Sequence, residues 1–203
     1  MMRRAARNLA ALTLVGLGSR AWAEPARYDL DPEHLTIAFL VEHIGYAKML
    51  GQFLTASGGY TFDPATGALS AARIVVETES VDTNHEARDG HLTSRDFLDS
   101  GTHPTMTFTA ATAQRTGERT FVVTGELELL GTRRPLVLEA TLNKTAPYPI
   151  GARAEVMGVS LRGSVKRSEF GMTYGVADGL VGDDVEILIE LEARRASAAE
   201  EGR

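Results

Sequence analysis

Val185-Glu186-Ile187-Leu188-Ile189-Glu190-Leu191-Glu192 decides how the rest of the chain is read. Val185, Ile187, Ile189 and Leu191 recur at every second position, with Glu186, Glu190 and Glu192 between them. Side chains of a strand point alternately to its two faces, so this period describes a strand with one apolar and one wet face. The pattern repeats backwards through the sequence. Leu35, Ile37, Phe39 and Val41 share one face, as do Met106, Phe108 and Ala110. Phe121, Val123, Leu127 and Leu129 follow suit, then Leu136, Leu138, Ala140 and Leu142, then Val159, Leu161 and Val165. Between the runs stand turn residues such as Asp63-Pro64-Ala65-Thr66-Gly67 and Gly131-Thr132-Arg133-Arg134-Pro135. About eight such runs at short spacing predict an all-β barrel or sandwich.

Two segments interrupt the alternation. Gly45 to Leu50 is expected to form a short helical turn. Asn84 to Asp99 is polar, lacks strict alternation and is expected to hold one or two helical turns, with Ser94 as a cap. Ala193 to Arg203 has no apolar period, so a disordered tail is expected over 194–203.

Arg3, Arg4 and Arg7 precede the apolar run Leu9 to Gly18, and Ala21-Trp22-Ala23 supplies small residues at an Ala-x-Ala cleavage site. Basic, apolar, then small is the order of a secretory signal, with cleavage expected after Ala23. The apolar run is about half of what a membrane span needs, which disfavours an uncleaved anchor. Arg3-Arg4 alone does not make a twin-arginine signal, so the general export route is preferred. An exported soluble protein of a Gram-negative cell resides in the periplasm, which is the expected location. Removing 23 residues from 203 leaves 180, expected to form one domain over 24–193. The leader carries four Arg and no acid, so 17 basic residues face 27 acidic ones and the mature net charge is −10. Such a chain argues against nucleic-acid binding. The absence of Cys rules out thiol catalysis, thiolate metal sites, disulfides and c-type haem attachment.

Catalytic and metal patterns fare poorly. His85 and His91 flank Glu86 and Asp89 without a zinc-ligand spacing. Asp99, Ser100 and His103 are triad residue types, but crowding on one loop is not triad geometry, and no G-x-S-x-G elbow exists. Asp29-Leu30-Asp31-Pro32 lacks the remaining ligands of a calcium loop. No catalytic residue, metal site or resident cofactor is expected.

An ordered set of short pieces resembles the YceI-like family. They are Tyr28-Asp29-Leu30-Asp31-Pro32-Glu33-His34, Gly51-Gln52-Phe53, Arg88-Asp89-Gly90-His91-Leu92, Asp96-Phe97-Leu98-Asp99 and His103-Pro104-Thr105-Met106-Thr107-Phe108. Thr124-Gly125-Glu126-Leu127, Arg167-Ser168-Glu169-Phe170-Gly171-Met172 and Val181-Gly182-Asp183-Asp184-Val185 continue the series. The chain departs from that pattern at Tyr28, where the family often has Trp, and at Leu35, where it often has Ser. The resemblance implies an eight-stranded, lipocalin-like antiparallel barrel that binds a polyisoprenoid or quinone-like lipid in its lumen. It further implies a cytochrome b561-type membrane protein as a partner; the mature charge of −10 favours transient inner-membrane contact over anchoring, and a homodimer is left open.

On that reading the apolar tail contacts are Phe39, Phe53, Leu92, Phe97, Phe108, Leu127, Leu129, Phe170 and Met172. The polar mouth is assigned to His43 and the Asn84–Asp99 segment, with Asp89 and His91 foremost; the alternative is a solvated loop held by its own ion pairs. Gly51, Gly58, Gly59, Gly125 and Gly163 mark either a hollow interior or bulges and corners. Two other functions stay open: an enzyme acting on an isoprenoid or lipid, and a stress-related partner-binding module with a structural lipid.

Overall fold

The computed structural model describes residues 24–151 and 153–197. The expected leader and the last six residues lie outside that range. Ten strands follow one another: β1 (Ala26–His43), β2 (Ala47–Phe53), β3 (Ala56–Asp63), β4 (Ala68–Glu77), β5 (Val81–Asp82), β6 (Thr105–Arg115), β7 (Thr120–Leu129), β8 (Thr132–Pro147), β9 (Glu155–Lys166) and β10 (Val181–Arg195). One helix, α1 (Glu86–Leu92), sits between β5 and β6. All pairings are antiparallel, and β10 closes on β1. β1 pairs with β3 near its start and with β2 near its end. β2 and β3 therefore act as one strand broken at Leu54 and Thr55, and β4 and β5 as one strand broken by the 3-10 turn Thr78–Ser80. Eight strand positions surround a closed barrel, as the alternation and the resemblance predict.

Three local expectations change. Ala47 to Leu50 is strand rather than helical turn, because Ile44 (φ 50°), Gly45 (φ 68°) and Tyr46 form a three-residue connection between the paired His43 and Ala47 that returns Leu50 opposite Leu40. Consecutive positive φ values match the twist of paired strands. The helix in the 84–99 segment is capped by His85, whose ring accepts from Arg88 N–H. Ser94 instead accepts from Asp96 N–H in the turn that follows α1. Finally, β10 runs two residues into the expected tail. Ala193 is fully buried, Arg194 pairs with Asp29 and Arg195 with Tyr28.

The glycines seat neighbours rather than leave space. A Cβ on Gly51 would lie 2.2 Å from the Phe39 ring, and one on Gly125 would lie 2.4 Å from Thr109 O and 2.5 Å from the Phe108 ring. The ring ends of Phe39 and Phe108 thus reach over bare backbone on the inner wall. Gly59 stands at the edge of the β3–β4 register shift, which falls between Gly59 and Thr61, and Gly58, at φ 129°, precedes it.

A polar latch fastens the β1–β10 seam on the outside. The register shifts between Leu30 and Leu35, and the bulge carries Asp31 and His34. Asp31 is 4% exposed, accepts from Arg194 at 2.7 and 3.0 Å and lies 2.8 Å from His34 Nδ1. Burial opposes its ionisation, but the His34 and Arg194 hydrogen bonds outweigh that and hold the carboxyl below its usual range. The same bond raises the His34 pKa. The Asp31 contribution is therefore complete above about pH 4 and lost as pH falls through its lowered pKa. The His34 contribution is complete below about pH 6.5 and lost as pH rises through its raised pKa. The melting-temperature gap between the native protein and Asp31→Asn should be widest between about pH 4 and 6.5. It should shrink in acid and fall to the Arg194 share in alkali. A gap that stays flat from acid to alkali would show that the latch is not electrostatic.

Candidate functional site: the barrel lumen

The inward faces of all the long strands meet around an elongated cavity of about 280 Å³. Its wall includes Leu35, Ile37, Phe39 and Val41 from β1, and Val185, Ile187, Ile189 and Leu191 from β10. The octapeptide Val185–Glu192 thus supplies one stave of the wall. Among the described residues, Arg167 is the only charged one on the lining, and Tyr60 is the only other with a side-chain nitrogen or oxygen.

The two ends differ in construction. At the β1 start, Tyr28 and Tyr60 stack at 5.8 Å, and Phe62 meets Phe121 edge-on at 5.7 Å. With Met157 and Ala193, both at most 1% exposed, these rings make a solid plug. At the opposite end the cover is α1, the turn after it and the 167–180 segment, none of which belongs to the barrel ladder. Leu92, Phe97, Leu98 and Met172 face the cavity from this cover. His91, Phe97 and Tyr174 form a three-ring cluster with centroids 4.9 to 5.2 Å apart. Arg167, 3% exposed, ties the cover down through four backbone carbonyls, those of Met172, Tyr174, Val181 and Gly182, at 2.7 to 2.9 Å.

Of the residues assigned from sequence, Phe39, Phe53, Leu92, Phe97, Phe108, Leu127, Leu129 and Met172 stand on the cavity wall. Phe170 is buried but lies behind that wall. His43, Asp89 and His91 are also outside the lining. His43 is exposed at the end of β1. Asp89 accepts from both the N–H and the hydroxyl of Thr83, while Arg88 donates to the Thr83 hydroxyl and carbonyl. His91 lies 3.0 Å from Asp96 Oδ2. Arg88, Asp89 and His91 thus find partners within the segment and at Thr83, the pattern the solvated-loop alternative describes. Tyr60 and Arg167 are the polar positions that the sequence reading passed over. Tyr60 sits in phase with inward-facing Phe62, and that was the available signal. The clamp made by Arg167 joins carbonyls from residues 172 to 182 and leaves no trace in spacing.

Among the described residues, Asp31, Glu33 and His34 bring one potential ligand atom each within 4.8 Å of the others. Arg194 already compensates the Asp31 carboxylate, so the group reads as the seam latch.

Comparison with known proteins agrees with this architecture. The family model described as YceI-like domain matches residues 28–193. The chain belongs to the YceI-like family. It is 33% identical over 190 residues to the protein YceI of Salmonella arizonae, covering 92% of this chain and 96% of that one. The crystal structure of the Campylobacter jejuni YceI protein superposes with TM-score 0.69 at 30% identity, over 77% of this chain and 90% of that one. A polyisoprenoid binding domain from Saccharophagus degradans shares the fold at TM-score 0.60 and 16% identity, over 85% of this chain and all of that one.

Proposed function

We propose that this protein is an exported, periplasmic binder and carrier of a long-chain isoprenoid or quinone-type amphiphile. The observation that carries the reading is the elongated apolar lumen. Its β10 stave runs from Val181 to Leu191, about 25 Å along the axis at the usual strand rise and barrel tilt. At about 280 Å³ it lies near the lower edge of small-molecule pockets, which suits one slender chain. The fold kinship with the polyisoprenoid binding domain of Saccharophagus degradans points the same way. Binding is the better reading because the described lining is apolar apart from Tyr60 and Arg167, and Arg167 is engaged by four backbone carbonyls.

Energetics favour a carrier over a sink. Burying a forty-carbon tail from water would release roughly 30 kcal/mol at about 0.8 kcal/mol per CH₂. That exceeds the ceiling of about 20 kcal/mol for non-covalent complexes. The lipid comes from a bilayer, however, and an apolar barrel gains little over an apolar membrane. Loading and release then both lie within reach, and a mature charge of −10 disfavours lasting attachment to anionic lipid. Solvent extraction of protein purified gently from its own host, followed by mass spectrometry, should yield a long-chain isoprenoid or quinone near one per chain. Protein that carries no lipid and takes none from vesicles would refute the reading.

A further inference from the structure

Two tyrosines plug the lumen end remote from α1, and they are treated differently. Tyr28 donates its hydroxyl hydrogen to Glu155 Oε1 at 2.7 Å. Tyr60 belongs to the lumen lining, and its buried hydroxyl has no hydrogen-bond partner among the described residues. Burial holds it protonated well above the ordinary tyrosine range, with Tyr28 adding to the effect, so it stays a neutral donor. A buried hydroxyl without a partner is rare, because its desolvation goes uncompensated. Phe at this position would keep the ring stack without that cost.

We infer that Tyr60 Oη is the deep anchor of the lumen, donating a hydrogen bond to a neutral oxygen acceptor on the bound amphiphile. The inference rests on the lumen being a lipid site and specifies which lipids it selects and how they lie. The anchor stands beside Tyr28 at the start of β1, whereas the α1 cover adjoins the end of β1 and the start of β10. An amphiphile held by Tyr60 lies with its carbonyl, ether or hydroxyl oxygen at the plug and its chain extending toward α1. A phosphate or carboxylate head is rejected there. One neutral donor cannot replace the hydration of an anion, the neighbouring Tyr28 hydroxyl already donates to Glu155, and the rest of the described lining apart from Arg167 offers no side-chain donor.

The test uses delipidated full-length mature protein and three probes. Diphenylhexatriene, a hydrocarbon fluorophore, reports whether the lumen takes apolar ligands at all. A decyl-substituted benzoquinone and decylbenzene, which share one tail, compete against it. The native protein should prefer the quinone by about tenfold, the size of one buried hydrogen bond. Tyr60→Phe should erase that preference and raise the melting temperature of the ligand-free protein. Equal affinity of the native protein for quinone and benzene would overturn the inference, as would a preference that survives in Tyr60→Phe. If diphenylhexatriene itself fails to bind, the lipid-site reading falls first and this inference with it. Should the Phe variant misfold, the native protein decides between the two competitors, and Tyr60→Leu with restored folding repeats the comparison.

Discussion

Ala72→Trp is expected to abolish lumen binding, with at least a hundredfold loss of affinity for diphenylhexatriene and for the native lipid, while the barrel stays folded. Ala72 lies on β4, is 8% exposed and faces the cavity, across the ladder from Ala110 on β6. Forcing a larger side chain into a filled core strains rotamers and costs about 1–3 kcal/mol. Here the indole enters a cavity of about 280 Å³ and takes up a large share of it. The ring gains apolar contacts where the native protein has free volume, so the melting temperature should fall only slightly or rise. The loss of binding is instead steric and nearly complete, because a lumen wide enough for one chain cannot hold a chain beside an indole. Fluorescence titration and thermal melting on the same preparation separate the two effects. If the Trp variant melts like the native protein and binds lipid equally well, the ligand sits elsewhere. Exposed Ile44, Tyr46 and Leu180 would then be the next place to look.

The same residues show why the sequence revealed the wall and hid the polar points. Val185, Ile187, Ile189 and Leu191 announce an inward face by their period alone, and all four line the cavity. Strand periodicity is local, so neighbours in sequence suffice to read it. Whether the enclosed space is filled is not local. Gly51 and Gly125 could be read as making room for a ligand, yet each makes room for a phenylalanine of its own barrel. The polar cluster from His85 to Arg95 looked like a mouth because charge density is visible in sequence. Hydrogen-bond partners are not visible there, and Thr83 absorbs both Asp89 and Arg88. Tyr60 shows the converse. A hydroxyl left without a partner is defined by what surrounds it in three dimensions, and strand alternation records only that the ring points inward.

Arg167→Met should lower stability by about 3–5 kcal/mol, which for a chain of this size is a fall in melting temperature of roughly 10 °C. Replacing buried charges with apolar side chains is often harmless, because the desolvation of the ions is relieved. That result holds when both partners are replaced. Here the acceptors are the main-chain carbonyls of Met172, Tyr174, Val181 and Gly182, which no side-chain substitution removes. Met restores most of the volume but supplies no donor, so the carbonyls must stay unpaired or swing out to water. Either outcome loosens the cover, because this segment also carries Tyr174 against Phe97 and His91. Burial lowers the Arg167 pKa, and Asp183 opposes that shift. The guanidinium, with its very high intrinsic pKa, still stays protonated across the physiological range. Arg167→Lys should recover only a small part of the loss. One ammonium with three donors at a single point cannot span four carbonyls that the planar fork reaches at once. Ligand release should accelerate in both variants, more in Met than in Lys, and stopped-flow dilution of diphenylhexatriene-loaded protein would read it. A Met variant that melts within about 2 °C of the native protein would mean that the carbonyls find water without loss. The cover would then be held by its three aromatic rings rather than by the arginine.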